Sequence, residues 1–101
     1  MACDYVFPDQ AKMDLAEAAA YLLAATGSDS ASITLLNETE KTIDPICEFP
    51  AMHALSRMPE LAERGYRAAL FGSYVMLYTF SDDTVYIEHV FHQCQDYAHL
   101  V

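Results

Sequence analysis

The sequence predicts an α+β sandwich in which a helical hairpin covers one face of a twisted, mainly antiparallel sheet, in the chain order β-α-α-β-β-β. Three observations carry this. Leu15, Ala18, Ala19, Leu22 and Leu23 recur at the i, i+3, i+4, i+7, i+8 spacing of one helix face. The segment from Arg64 to His92 consists of three runs rich in tyrosine, phenylalanine and β-branched residues, as a pleated, half-buried surface requires. Turn residues cut those runs at Gly72 and at Ser81-Asp82-Asp83, so they read as a meander.

The elements follow in order. Asp4 to Phe7 is a short strand, and Pro8-Asp9 is a helix-entry signal, with Asp9 placed to cap the first orphan amides. The first helix spans Gln10 to Ala25 and stops at Gly27, the residue that most readily takes a left-handed terminal conformation. Ser28, Asp29 or Ser30 then caps a second helix whose inward positions are Ile33, Leu36, Ile43 and Cys47, while Asn37, Glu38, Glu40 and Lys41 face water. Pro45 lacks an amide hydrogen and predicts a break or kink near Thr42 to Pro45. Residues 50–63 read as an irregular connection with one helical turn at Pro59 to Glu63.

Arg64 to Phe71, Ser73 to Phe80 and Thr84 to His92 are the three meander strands. In the last of these, a period of two separates Val85, Ile87, His89 and Phe91 from Tyr86, Glu88, Val90 and His92. The first set is expected to meet the helices, with Leu15, Ala19, Leu36 and Ile43 packing against Leu70, Leu77 and Ile87.

Composition narrows the function. A chain of 101 residues with 53% apolar content is expected to form one domain with a real core. No apolar run reaches the length of a membrane span, and Pro8, Asp9 and Lys12 interrupt the N-terminus where a signal peptide has its apolar centre, so a cytoplasmic protein is expected. Cys3, Cys47 and Cys94 are odd in number and scattered, which predicts reduced thiols, with Cys47 in the core. Fifteen acidic residues against five basic ones give a formal charge of −10, which excludes a non-specific nucleic-acid binder. Three of the five cations, Arg57, Arg64 and Arg67, fall close together, and no lysine or arginine follows them.

No phosphate-binding glycine loop or nucleophile elbow is present, so a nucleotide cofactor is not expected. His89, His92, Cys94 and His99 are the candidates for a metal site, but no Cys-x-x-Cys pair accompanies them. On a continuing strand His89 and His92 point to opposite faces, which argues against a zinc site.

The order of short motifs along the chain resembles the RelE/ParE superfamily, toxin components of bacterial type II toxin–antitoxin pairs. The resemblance rests on Leu61, Gly65-Tyr66-Arg67, the Tyr74 to Tyr78 strand, the acidic Asp82-Asp83 turn, Val85-Tyr86-Ile87, and His92 followed by Asp96-Tyr97, with Phe49-Pro50 closing the helical half. It covers nearly the whole chain and implies two activities. RelE-like members cut messenger RNA on the ribosome without a metal, whereas ParE-like members bind DNA gyrase. For the first, the resemblance points to His92 as acid or base, Tyr97 as a hydroxyl and Arg67 or Arg64 as the source of positive charge. This chain departs from that pattern. Val75 stands where such nucleases carry an arginine, and Gln93, Cys94 and Gln95 stand where the tail carries cations.

The expectation is therefore a ParE-like toxin that acts by protein contact, needs no cofactor and is neutralised by a cognate antitoxin. A RelE-like ribonuclease and a non-toxic relative that only binds partners or self-associates as a homodimer are the alternatives. The partner surface is expected at Tyr21, Leu22 and Leu23 of the first helix and at an outer aromatic face of Tyr74, Tyr78 and Tyr86. Arg64 and Arg67 either join that surface or pair with Glu60, Glu63 or Glu88.

Overall fold

Two long helices lie on one face of a four-stranded mixed sheet. The structure, a computed structural model, describes residues 4–92. The elements are β1 (Asp4–Val6), α1 (Asp9–Thr26), α2 (Ser30–Glu48), α3 (Pro59–Glu63), β2 (Arg67–Phe71), β3 (Tyr74–Ser81) and β4 (Thr84–His92). The sheet order is β1-β4-β3-β2. β2, β3 and β4 form the antiparallel meander, and β1 adds in parallel to the start of β4 through Asp4↔Thr84, Tyr5↔Val85 and Val6↔Tyr86.

Local signals set most boundaries. α1 ends at Gly27, whose φ of 69° is left-handed and whose N–H donates to the Leu23 carbonyl. Asp9 does not cap α1, because the cap position is Pro8 and Asp9 is the first helical residue, where its charge meets the positive end of the helix dipole. Asp29 occupies the cap position of α2 but makes no side-chain cap bond. α2 is not broken at Pro45. It continues as one helix to Glu48, because Pro45 and Lys41 lie on the exposed face, where water can serve the carbonyl that the proline leaves unbonded.

The phase of α2 differs from the expected one. Leu35, Thr39, Ile43, Ile46 and Cys47 are buried, while Ile33 and Leu36 are half exposed. Apolar residues surround this helix on several sides, so their spacing defines no single stripe, and the sheet selects the face that docks. The hairpin is drawn together by small residues of α1 and by the Ser32 hydroxyl, which donates to the Ala19 carbonyl at 2.7 Å.

One residue decides the facing of the sheet. The register runs Leu77↔His89 and then Tyr78↔Ile87, so Glu88 is an extra residue on β4 and forms a β-bulge. Val85 and Ile87 face the helices as expected, but beyond the bulge the alternation reverses. Val90 joins the helix-facing core with Ala69, Phe71, Met76 and Tyr78. Phe91 turns to the opposite face, into a second cluster with Val75, Leu77, Leu61 and Tyr66. Leu77 is thus fully buried but against α3, not against the hairpin, and Leu70 is exposed. The connection at 50–63 is more ordered than expected. Ser56 N–H donates to the Tyr66 carbonyl and Ala68 N–H to the Ala54 carbonyl, which binds the segment to the β2 edge.

The two meander turns differ in chemistry. Gly72 takes a positive φ of 57° at the first position of its two-residue turn, where a residue without Cβ adopts it freely. At the second turn both Asp82 (φ 50°) and Asp83 (φ 65°) are left-handed, a pairing that matches the twist of a hairpin but crowds each Cβ. Asp83→Gly is expected to raise stability by about 1 kcal/mol, visible as an increase of roughly 4–8 °C in melting temperature for a domain of this size. An unchanged or lower melting temperature would show that the aspartate carries a compensating local hydrogen bond.

Candidate functional site

The polar centre of the molecule lies where α1 crosses the far half of β4. Asp14 sits on the inward stripe of α1, between Ala11 and Leu15, and is 9% exposed. Its Oδ1 accepts from Gln10 Nε2 at 2.9 Å. Its Oδ2 accepts the Val90 backbone N–H at 3.3 Å and lies 3.2 Å from His89 Nδ1. β1 pairs only with Thr84 to Tyr86, so beyond Tyr86 the outer edge of β4 needs another partner, and at Val90 a side chain from α1 supplies it. His89 is stacked on Phe91 at 5.2 Å between ring centroids and meets Tyr66 edge-on at 6.4 Å. It therefore bridges the two clusters of the fold instead of simply meeting the helices.

Beside this junction α1 and the end of the sheet leave a cleft of about 640 Å³. Gln10, Asp14, Glu17, Ala18 and Tyr21 form the helical wall, and Tyr74, Val90, Phe91 and His92 form the sheet wall. The bulge is what brings His92 here. The uninterrupted alternation placed it on the outer face, whereas it lies opposite Tyr74 on the helix-facing side, with the two rings edge-to-face at 5.3 Å. Tyr74 also stacks on Phe71, and its phenol is held above the usual range by burial and, to a lesser degree, by the nearby Tyr21. A smaller cleft of about 310 Å³ continues past Tyr74 between the start of α2 and the β2–β3 turn.

The remaining predicted residues do not converge here. Tyr78 is fully buried in the helix-facing core, with its hydroxyl donating to the Pro50 carbonyl at 2.7 Å, so it belongs to no outer aromatic face. Burial raises its pKa, against weaker lowering by a backbone hydrogen bond at His53 and by the charge of Arg67. Tyr86 is half-buried on the face away from the helices. Of the helix residues expected at the partner surface, Tyr21 lines the cleft, whereas Leu23 is exposed outside its lining and Leu22 packs partly into the core.

Arg67 donates to the His53 carbonyl at 2.6 Å and lies over the Phe80 ring, while Arg64 lies over Tyr66. The expected ion pairs with Glu60, Glu63 or Glu88 are not formed. The ion pairs among the described residues are Lys41–Glu38 and the Asp14–His89 contact, and Glu88 instead accepts from the Thr79 hydroxyl. Neither Arg64 nor Arg67 thus lines the cleft that holds His92. Tyr97, the third member of the expected nuclease set, and Cys94 and His99 of the zinc reading lie outside the described residues. Among the described residues no three His, Cys, Asp or Glu side chains are arranged to hold a metal ion.

Asp14 is the residue that sequence reasoning missed. Its signal was present, because a carboxylate four residues after Gln10 on an otherwise apolar stripe must find partners or remain at the surface. The sequence does not say that the partners lie on β4.

The model of the ParE toxin of the type II toxin–antitoxin system matches residues 5–97. The chain belongs to the ParE toxin family. Among solved structures, the toxin resembles a chain of the toxin–antitoxin complex RelBE2 from Mycobacterium tuberculosis, at 26% identity and a TM-score of 0.61, over 91% of this chain and 99% of that one. It shares its fold with a chain of the chromosomal ParDE system of P. aeruginosa, at 12% identity and a TM-score of 0.72, over 90% and 96% of the two chains. No curated protein sequence matches it. The hairpin on a sheet in the order β-α-α-β-β-β is the fold of these neighbours. No helix among the toxin's described residues is long and apolar enough to cross a membrane.

Proposed function

We propose that this toxin works in the cytoplasm by protein–protein contact on a gyrase-type target and is neutralised by a cognate antitoxin, without catalysing RNA cleavage. The observation that carries this reading is the separation of its cations from His92. Metal-free cleavage of a phosphodiester needs an acid, a base and positive charge around one phosphate. Here Arg64 and Arg67 lie over Tyr66 and Phe80, and neither lines the cleft at His92. The apolar residues exposed on the hairpin, Tyr21, Leu23, Ile33 and Leu36, offer contact area for a protein.

Purified toxin added to a reconstituted translation system is expected to leave messenger RNA intact on the ribosome, because each missing electrostatic donor costs a nuclease about 100-fold to 1000-fold in rate. Gyrase supercoiling is expected to fall as toxin is added and to recover when the product of the adjacent gene, where a toxin of this kind is expected to have its antitoxin encoded, is included. Robust cleavage abolished by His92→Ala or Tyr97→Phe would replace this reading with a ribonuclease. Neither cleavage nor growth arrest would mark a relative that only binds partners.

A further inference from the structure

The cleft between α1 and the end of β3 and β4 has a one-sided chemistry. Glu17 stands on its helical wall as an exposed carboxylate, Asp14 lines it with its oxygens already engaged by Gln10, His89 and the Val90 N–H, His92 lies on the sheet wall, and Tyr21 and Tyr74 bring aromatic rings from opposite walls. None of Lys12, Lys41, Arg57, Arg64 or Arg67 lines it, and the sequence beyond Arg67 contains no lysine or arginine. With a formal charge of −10 on the whole chain, the potential inside a concave, partly desolvated site of this composition is negative.

The geometry points to a specific occupant: this cleft receives arginine or lysine side chains of an amphipathic segment of the antitoxin, a basic partner for an acidic toxin. The inference rests on the antitoxin reading above and names the chemistry of that partner. A cation entering beside Tyr21 meets the exposed ring of that residue and the exposed Glu17 carboxylate, a setting in which a guanidinium gains from both. An acidic segment or a nucleic-acid strand is repelled by the same groups. A second copy of the chain is a poor occupant, since its cations are few and Arg64 and Arg67 are already engaged with rings of their own fold.

The test uses the full chain and two labelled amphipathic peptides of equal length, one of leucine and arginine and one of leucine and glutamate, with binding read by fluorescence polarisation. The Leu/Arg peptide is expected to bind at least about tenfold more tightly, and Glu17→Lys to weaken it about tenfold. Tyr21→Ala is expected to weaken it as well. Both residues are exposed, so neither change should alter the melting temperature. Glu60→Lys, an equal change of net charge on α3, serves as the control and is expected to have less than about a threefold effect, since Glu60 does not line the cleft and salt screens exposed charges. Equal binding of the two peptides, or equal losses for Glu17→Lys and Glu60→Lys, would overturn the inference. The same variants are then tested for co-purification with the product of the adjacent gene. A complex insensitive to Glu17→Lys refutes the basic-segment inference while the antitoxin reading stands. Glu17-dependent binding of the Leu/Arg peptide, with no complex formed by that product, upholds the cleft chemistry and refutes the antitoxin reading.

Discussion

Leu77→Ala is expected to destabilise the toxin by about 2–5 kcal/mol, because Leu77 is fully buried and its removal leaves a cavity that flanking elements fill only in part. Its neighbours make the consequence specific. Leu77 packs with Val75, Phe91, Leu61 and Tyr66 on the face away from the helical hairpin, so the loss should first loosen α3 and the segment tied to the β2 edge. Hydrogen exchange should show amides of 56–66 losing protection before those of α1 and α2. If α1 and α2 lost protection first, Leu77 would be supporting the hairpin and the facing set by the bulge would be wrong. Leu70→Ala is the internal control. It lies on the neighbouring strand but is exposed, and it should cost less than about 0.5 kcal/mol.

Asp14→Ala is expected to cost about 3 kcal/mol, a large effect for a polar side chain. Three partners converge on this carboxylate, and its loss removes the acceptor from the Val90 N–H on the β4 edge and from the Gln10 amide, and the partner of His89. Desolvation is what makes the effect large, since the Val90 N–H is enclosed and a buried donor without an acceptor forfeits its hydration. Asp14→Asn keeps an acceptor oxygen for Val90 and should lose only about half as much. A double-mutant cycle with His89→Ala, read by denaturant unfolding, should give a coupling of about 1 kcal/mol. A cost below about 0.5 kcal/mol for Asp14→Ala would mean that water replaces the carboxylate at the strand edge.

Much of the fold was legible because local rules and tertiary structure agree. The glycine stop at Gly27, the Pro59 start of α3 and the Asp82-Asp83 reversal each act within a few residues, so no distant contact is needed to read them. Motif order from Leu61 to Tyr97 led to the right superfamily, and the family match over residues 5–97 bears that out. The site was less legible. Tyr78 looked like its neighbours Tyr74 and Tyr86 in sequence, and only the Pro50 carbonyl, 28 residues away, explains why its hydroxyl can be buried.

Apart from the break expected at Pro45, the sequence by itself determined which segments are helix or strand and where the chain reverses, because amphipathic period, glycine and turn chemistry are properties of neighbouring residues. The tertiary structure alone decided which faces meet. The extra residue at Glu88 shifts Val90 and His92 to the helix side and Phe91 away from it, and a period of two read along the strand cannot register one inserted position. The same holds for α2, where Leu35 is buried and Leu36 is not: the difference lies in which flank the sheet covers, and burial is a relation between segments. Asp14 shows the rule at its sharpest. Its carboxylate is tolerable inside the fold only because β4, some 75 residues along the chain, brings His89 and an edge amide to it.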